Sequence, residues 1–184
     1  MLLSIDQLCC AGKCLRSFHP KCLGLSNVDV DRLLRRADIP YVCSDCSLGV
    51  QRCFSCQEFG MEEELFRCGI AFCGKFFHES CLPKTAEESS QGITLVCPLH
   101  TCHNCGKTPP NIHEAKKRSR IWRCFRCPKA YDLLHRPRDV HVLASGLFLC
   151  IEHTLEEESW PEVPSELIER VEQMRKRKLV GIYF

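Results

Sequence analysis

The residues best suited to chemistry in this chain are its cysteines and histidines. Its 184 residues include 17 Cys and eight His, and most of them stand in pairs separated by two residues. Such a pair can offer both side chains to one metal ion, whereas a disulfide does not require this spacing. The pattern therefore indicates zinc chelation rather than disulfide bonding, and with it a reducing compartment.

The pairs form three consecutive blocks with a period of about 50 residues. The first block contains Cys10, Cys14, His19, Cys22, Cys43 and Cys46. The second contains Cys53, Cys56, Cys68, Cys73, His78, Cys81, Cys97 and His100. The third contains Cys102, Cys105, Cys124, Cys127, Asp132, His135, Cys150 and His153. Only Cys9 is left over among the cysteines, and we expect it to be a non-ligand neighbour of Cys10.

The joints between the blocks are short. Thr101 alone separates His100 from Cys102, so the second and third blocks should pack as one rigid unit. Blocks of this size bury too little apolar surface to fold alone, and bound metal must supply the missing free energy. After His153 an acidic segment with prolines leads to a predicted helix over residues 165–178, which begins with acids and ends with bases.

Spacing within the blocks distinguishes between families of zinc-binding domains. In every block the fourth ligand position is followed five residues later by the next candidate, whereas RING-type domains place that histidine closer and LIM domains have another order. Phe18 and Phe77 directly precede the middle histidine of their blocks, and Tyr41 and Phe148 stand two places before the last pair. Across residues 8–153 these features resemble the plant homeodomain (PHD) finger family.

The resemblance implies a chain of small metal-stapled domains: tandem cross-brace zinc fingers with short antiparallel strands, followed by a C-terminal helix. It divides the chain into an N-terminally truncated or degenerate PHD finger (1–48), a PHD-type finger ending in Cys-x-x-His (50–100), a variant PHD-like finger (101–153), and an acidic linker with a helix (154–184). The first block has no Cys-x-x-Cys pair ahead of Cys10. A boundary that cuts a longer protein and true degeneracy both account for this.

Ligation in a PHD finger is interleaved, so that pairs one and three hold one zinc ion and pairs two and four hold the other. The implied complete sites are Cys10, Cys14, Cys43, Cys46; Cys53, Cys56, His78, Cys81; Cys68, Cys73, Cys97, His100; Cys102, Cys105, Asp132, His135; and Cys124, Cys127, Cys150, His153. His19 and Cys22 form an incomplete sixth site. The expected cofactor is thus about five zinc ions.

The third block departs from the ordinary PHD pattern at two ligand positions. It is similar to the variant finger that follows the last PHD finger of nuclear receptor-binding SET-domain methyltransferases, with Asp132 in place of the fifth cysteine of that variant. The segments "LFRCGIAFCGKFFHESC" and "RCPKAY" also resemble the finger region of the plant enhanced downy mildew chromatin regulators. Asp132 either ligates zinc through one oxygen or faces solvent while water completes the site.

As an expectation from the resemblance, the chain is a nuclear, chromatin-associated module that binds the histone H3 N-terminal tail or another chromatin protein. PHD fingers add this tail as a strand to a short sheet. Glu62, Glu63 and Glu64 precede the strand that leads to Cys68, and they either read unmodified basic residues of the tail or form a solvated acidic loop.

Recognition of trimethyl-lysine by an aromatic cage is not expected. The usual cage tryptophan stands two residues before the middle histidine, where this chain has Ser17, Phe76 and, in the third block, Ala130. A quaternary ammonium group gains most from tryptophan faces, so the usual cage is missing its main residue.

Other function classes are less well matched by the sequence. No catalytic constellation stands out, so we expect no enzyme activity and no small-molecule substrate, and no apolar run is long enough for a membrane helix. Thiolate ligands and their zinc ions together add roughly −5 to the formal charge of +2, and the resulting net charge of about −3 makes nucleic acid a secondary partner. The alternatives are an intramolecular or protein–protein scaffold and, less favoured, a RING-type ubiquitin ligase.

Overall fold

The computed structural model describes residues 7–35, 40–82, 95–108, 121–153 and 161–180. The chain divides into two compact units, Met1–Gln51 with Val163–Phe184, and Arg52–Glu162. Within the described ranges, no helix has the length and apolarity to cross a membrane.

The described residues of the first unit include a pair of short strands, three α-helices and the 3-10 helix Pro20–Leu23. The strands β1 (Leu8–Cys9) and β2 (Ser17–Phe18) pair antiparallel, and the helices are α1 (Asn27–Arg35), α2 (Ser44–Leu48) and α3 (Ser165–Val180). Ser26 caps α1, because its hydroxyl accepts the Asp29 N–H at 3.3 Å while the Asp29 carboxylate accepts the Ser26 hydroxyl at 2.6 Å. This reciprocal pair satisfies donors that a helix N-terminus otherwise leaves unbonded.

The C-terminal helix α3 belongs to the same unit as the first block. Leu167 and Val171 are buried, as the spacing of its apolar residues predicts. Arg175 donates from Nη2 to the carbonyl oxygens of Ser47 at 2.6 Å and Leu48 at 3.3 Å. These carbonyls end α2, so a cation from α3 satisfies acceptors that a helix C-terminus leaves without partners.

The second unit contains most of the strands. The chain enters it through β3 (Val50–Arg52) and continues with β4 (Phe59–Met61), β5 (Phe66–Arg67), β6 (Phe76–Phe77), β7 (Ile121–Cys124), β8 (Ala130–Asp132), β9 (Val140–Ala144) and β10 (Leu147–Cys150). β5 and β6 pair antiparallel, with Phe66 opposite Phe77. The last four strands form a sheet in the order β8-β7-β10-β9.

The pairs β1–β2, β5–β6, β7–β8 and β9–β10 are antiparallel, as expected, but this sheet also contains a parallel pair. β7 and β10 run parallel, with Arg123 opposite Leu147 and Cys124 opposite Phe148. The parallel pair places Cys124 and Cys150, which end these two strands, on neighbouring backbones. The sheet thereby brings together two cysteines that are far apart in the sequence.

The aromatic residues that mark the blocks form their cores. Phe77 and Phe148 are fully buried, and Phe148 packs with Cys124, Leu149 and Cys150. In the first unit, Phe18 and Tyr41 meet edge to face, with ring centroids 6.1 Å apart. Such contacts stabilise domains whose remaining apolar surface is small.

Candidate metal centres

The structure gathers metal-ligating side chains into five clusters of four. Within each, the potential ligand atoms all lie within 4.8 Å of one another. The clusters are Cys10, Cys14, Cys43, Cys46; Cys53, Cys56, His78, Cys81; Cys68, Cys73, Cys97, His100; Cys102, Cys105, Asp132, His135; and Cys124, Cys127, Cys150, His153. These are the groupings that interleaved ligation implies.

The spacing of the sulfur atoms fits zinc and not disulfides. The Sγ–Sγ distance is 3.7 Å between Cys14 and Cys43, and 3.8 Å between Cys73 and Cys97. A tetrahedral ion with Zn–S bonds of about 2.3 Å needs sulfur atoms about 3.8 Å apart. A disulfide would require about 2.05 Å, and every cysteine that the structure describes is a free thiol. The five clusters are therefore suited to zinc.

Two histidines also fit a zinc ion, because each has a buried ring nitrogen without a hydrogen-bond partner in the described residues. His100 Nε2 and His153 Nε2 are buried and have no hydrogen-bond partner within the described part of the chain. Each belongs to a cluster with three cysteines. A buried ring nitrogen requires a partner, and a metal ion shared with three thiolates supplies one.

A repeated backbone turn brings paired cysteines together. In four of the cysteine pairs the residue after the second cysteine has a positive φ, +53° at Leu15, +68° at Gln57, +62° at Gly74 and +68° at Gly106. At Gln57 the N–H returns to the Cys53 carbonyl oxygen at 3.0 Å. This turn folds the chain tightly enough for both thiols to face one point.

Backbone donors around the sulfurs favour the thiolate form. Burial by itself raises the pKa of Cys53, but N–H groups of Cys56, His78 and Ser55 outweigh it and lower that pKa to about 7. The pKa of Cys124 is lowered to about 4 by a side-chain hydrogen bond from Cys127 and by backbone donors, which together outweigh the effect of burial. Burial and the neighbouring sulfurs raise the pKa of the partner thiols, to about 11 at Cys56, so each of these two clusters combines a thiol that ionises readily with one that does not. A bound cation would stabilise the thiolate form of both.

The four-cysteine cluster has a charged partner that the sequence pattern did not reveal. Arg16 Nη2 lies 3.6 Å from Cys43 Sγ and 2.6 Å from Asp45 Oδ2. The Asp45 side chain is only 6% exposed and that of Arg16 is 22% exposed. The buried Gln51 also donates to Cys46 Sγ at 3.1 Å. These donors offset the charge of a site whose four thiolates exceed the charge of one zinc ion.

Gly12 leaves no space beside this cluster for a larger residue. A Cβ atom added there would lie 2.7 Å from Cys46 Cβ, 2.8 Å from Cys46 Sγ and 3.3 Å from Cys10 Sγ. The Gly12 N–H donates to Cys10 Sγ at 3.3 Å. Gly12 is thus required for close approach of the backbone to the sulfurs.

Asp132 uses its two oxygens for different purposes. Oδ1 accepts the N–H groups of Leu134 at 3.0 Å and His135 at 2.9 Å, which closes the turn after β8. Oδ2 lies 3.4 Å from Cys105 Sγ and 3.1 Å from His135 Nδ1. Burial tends to raise the pKa of Asp132, but hydrogen bonds from His135 lower it to about 2, so the group is a carboxylate.

The second and third fingers contact each other within the second unit. Arg123 donates from Nε to the Leu99 carbonyl oxygen at 3.0 Å, and its Nη2 lies 3.4 Å from His100 Nδ1. Gln57 Nε2 donates to the Arg126 carbonyl oxygen at 3.4 Å. Arg123 therefore connects the last histidine of one finger to the strand that supplies Cys124 to the next.

The remaining candidate residues lie outside these clusters. His19 Nε2 is 3.1 Å from Gln7 Nε2, Cys22 is exposed, and neither is in a metal-ligating cluster of the described residues. Cys9 is exposed, with Sγ 3.4 Å from Ser17 Oγ. The three residues Glu62–Glu64 form a short 3-10 helix immediately before β5.

Pairs of zinc-suited clusters with interleaved ligands define the cross-brace class of zinc finger. Residues 49–100 match the model for the PHD zinc finger of NSD-like histone-lysine N-methyltransferases, and residues 102–155 match that for their variant PHD zinc finger. The chain therefore carries tandem PHD-type zinc fingers, the last of them of the variant kind.

Several curated relatives share this region. Histone-lysine N-methyltransferase NSD3 of Mus musculus is 37% identical over 150 residues, which cover 79% of this chain and 9% of that protein. The H3 lysine-36 specific histone-lysine N-methyltransferase of Mus musculus is 34% identical, covering 80% of this chain and 5% of that protein. Protein ENHANCED DOWNY MILDEW 2 of Arabidopsis thaliana is 29% identical, and the match covers 83% of this chain and 15% of that protein. The chain thus spans only a small part of each relative.

Proposed function

We propose that the chain is a nuclear, chromatin-associated module that binds proteins and has no enzyme activity of its own. The segments shared with the methyltransferases are finger domains, which bind ligands and are not catalytic. Each of the five clusters already offers four protein ligands, the arrangement of structural rather than catalytic zinc. We assign one zinc ion to each cluster, with Asp132 as the oxygen ligand of its site.

The proposed ligand is the N-terminal tail of histone H3, bound at β5. This strand of Phe66–Arg67 has β6 on one side, and both of its residues are exposed. An extended peptide can add to the other side by backbone hydrogen bonds. The acidic 3-10 helix Glu62–Glu64 lies one residue before the strand and provides charge complementary to a basic tail. Among the described residues β6 is the one strand paired with β5, and its other edge beside three glutamates is the observation that carries the proposal.

Binding without an aromatic cage is part of the same proposal. Phe76 stands at the cage-tryptophan position of the second block, and it is only 3% exposed because it packs beneath the finger surface in β6. Ala130, its counterpart in the third block, is fully buried, and Ser17 in the first is not aromatic. These positions support recognition of an unmodified tail.

Calorimetry with H3 peptides tests this function. The zinc-loaded chain should bind the unmodified N-terminal peptide with micromolar affinity, and trimethylation of its first lysine should weaken binding. Replacing Glu62, Glu63 and Glu64 together by Gln should weaken binding by at least about ten-fold. The matched control replaces the exposed α3 residues Glu166, Glu169 and Glu172 by Gln, which changes the net charge equally and should leave the affinity unchanged.

Two results would argue against the reader function. Equal effects of the two triple variants would show that only net charge matters. No binding of either peptide to a sample that holds five zinc ions would favour the alternative of a protein–protein scaffold. A RING-type ligase would require ubiquitin transfer with some conjugating enzyme, and we expect none.

A further inference from the structure

One of the five clusters differs from the others in its donor atoms. Cys102, Cys105, Asp132 and His135 offer two sulfurs, one oxygen and one nitrogen, whereas each of the other four clusters offers at least three sulfurs. Thiolate sulfur is a soft donor that suits zinc, while carboxylate oxygen is better matched to harder cations such as Mg²⁺ and Mn²⁺. We therefore expect this group, the Asp132 cluster, to hold zinc least tightly.

Access for a competing ligand does not single out the Asp132 cluster. Cys102 is buried and its three partners are half-buried, while the cluster of Cys53, Cys56, His78 and Cys81 includes the exposed Cys56. With a zinc ion bound, both clusters also have the same formal charge of about −1, because a carboxylate stands in for a thiolate. A difference in zinc affinity between them must then come from the donor atoms themselves.

The four-cysteine cluster represents the opposite case. The backbone N–H groups of Gly12 and Cys43 donate to Cys10 Sγ, each at 3.3 Å, and Gln51 Nε2 donates to Cys46 Sγ at 3.1 Å. Such donors stabilise the thiolate charge and keep the ligands oriented, which strengthens zinc binding. We expect this cluster to keep its ion longest.

The Asp132 side chain is fixed by bonds that do not involve the metal. Its Oδ1 accepts the N–H groups of Leu134 at 3.0 Å and His135 at 2.9 Å, which leaves Oδ2 for an ion. Oδ2 lies 3.4 Å from Cys105 Sγ. The turn from Asp132 to His135 is thus closed by the backbone, and these two ligands should keep their positions when the ion departs.

Another backbone bond joins the two halves of the Asp132 cluster. The His103 N–H donates to the Ala130 carbonyl oxygen at 2.7 Å, which connects the segment that begins at Cys102 to β8, the strand that ends at Asp132. The rings of His103 and Tyr131 also meet edge to face, with centroids 5.9 Å apart. The ligands are therefore held near one another without the ion, so zinc can return without refolding of the chain.

The rest of the third finger has its own support. Phe148 is fully buried and packs with Cys124 and Cys150, which belong to the other cluster of this finger. Loss of the ion from the Asp132 cluster should therefore leave β7 and β10 in place. Zinc exchange would be confined to one end of the finger, where Leu133 and Leu134 are 54% and 90% exposed.

We propose that the Asp132 cluster is an exchangeable zinc site, which releases and rebinds its ion at free zinc concentrations that leave the other four clusters loaded. A thiol-rich zinc acceptor can then remove this ion while the second finger, with its proposed tail-binding edge, stays folded. The third finger is thereby a zinc-responsive element of the chain. This inference rests on the assignment of one zinc ion to each cluster.

Stepwise removal of zinc from the full chain tests this inference. Nitrilotriacetate is titrated into the 15N-labelled chain after native mass spectrometry has shown five bound zinc ions, one for each cluster. The amide signals of Asn104 and Leu134 report on the Asp132 cluster, those of Ser55 on the Cys53 cluster, and those of Gly12 on the four-cysteine cluster. The signals of Asn104 and Leu134 should change at a chelator concentration at least about ten-fold below the others, and added zinc should restore them.

Two variants separate the effect of the donors from general destabilisation. Asp132→Asn keeps an oxygen for the turn but loses the charge, and it should lower the chelator midpoint of the Asn104 signal by about ten-fold more while that of Gly12 stays unchanged. Gln51→Leu removes a donor to Cys46 Sγ, and it should lower the midpoint of the Gly12 signal alone.

Three results would contradict the exchangeable site. They are a simultaneous change at all clusters, an earlier change at Ser55 or Gly12 than at Asn104, and loss of the Phe148 signal together with that of Asn104. A chain that never holds more than four zinc ions, with Asn104 insensitive to added zinc, would overturn the assignment of an ion to the Asp132 cluster and the inference with it.

Discussion

Replacing Gly12 by Ala should remove the zinc ion of the four-cysteine cluster. The added Cβ would lie 2.7 Å from Cys46 Cβ and 2.8 Å from Cys46 Sγ. Ordinary carbon contacts are about 3.5–4.0 Å, so the two backbones must separate by about 1 Å. Zinc–sulfur distances tolerate about 0.2 Å, and we expect the zinc affinity of this site to fall by at least about 100-fold.

Native mass spectrometry combined with a competing chelator measures this effect. The unaltered chain should hold five zinc ions, one for each cluster, and Gly12→Ala should hold four. Retention of the other four ions would show that the second unit still folds. The control is Gly24→Ala, because Gly24 also lies in the first unit, has φ +66° and has nothing within 4 Å of an added Cβ. Its strain of about 1 kcal/mol should lower stability without changing the zinc count.

The two glycine variants distinguish a steric contact with Cys46 from a general effect of replacing a glycine in the first unit. If Gly12→Ala keeps five zinc ions against the same chelator concentration as the unaltered chain, the steric reasoning is wrong. Loss of zinc in both glycine variants would show that general destabilisation of the first unit, and not contact with Cys46, controls the site.

Three further changes test the supporting contacts. Arg16→Met should destabilise the first unit by about 2–4 kcal/mol in denaturant unfolding, because it leaves the buried Asp45 carboxylate without its cation. Adding Asp45→Asn should recover part of this loss, and full additivity of the two changes would contradict the pairing. Arg123→Met should lower the free energy of unfolding of the second unit by about 1–3 kcal/mol and should separate the unfolding of the second finger from that of the third, whereas the same unfolding curve with and without Arg123 would contradict the coupling. Asp132→Asn should weaken zinc binding at its site by about 10–100-fold in chelator competition, while Asp132→Cys should retain the affinity. Equal zinc affinities in the unaltered chain and both variants would show that Asp132 is not a ligand.

The metal clusters were the most predictable part of the molecule. The ligand pairs are visible from covalent spacing, and the resemblance to PHD fingers implies which pairs share an ion. The structure brings together the same groups of four residues, including Asp132 with Cys102, Cys105 and His135. The buried Phe77 and Phe148 were likewise marked by their positions next to ligands.

Contacts between distant segments were not predictable from spacing. Arg16 and Asp45 are charged residues near ligands, and nothing in their local sequence distinguishes a buried ion pair from two solvated side chains. The bond from Arg175 to the end of α2 joins segments more than 120 residues apart. The parallel pairing of β7 with β10 is also non-local, since its partners Arg123 and Leu147 are separated by the strands β8 and β9.

Chemical-shift mapping of the zinc-loaded, 15N-labelled chain with the unmodified H3 N-terminal peptide tests the central claim most directly. The account predicts saturable shifts at Phe66–Arg67 and at Glu62–Glu64, with Val140–Ala144 unaffected because no run of acidic residues flanks that strand as Glu62–Glu64 flank β5. Shifts confined to β9, or an unchanged spectrum on a sample with five zinc ions, would contradict the assignment of the second finger as the reader of a basic tail.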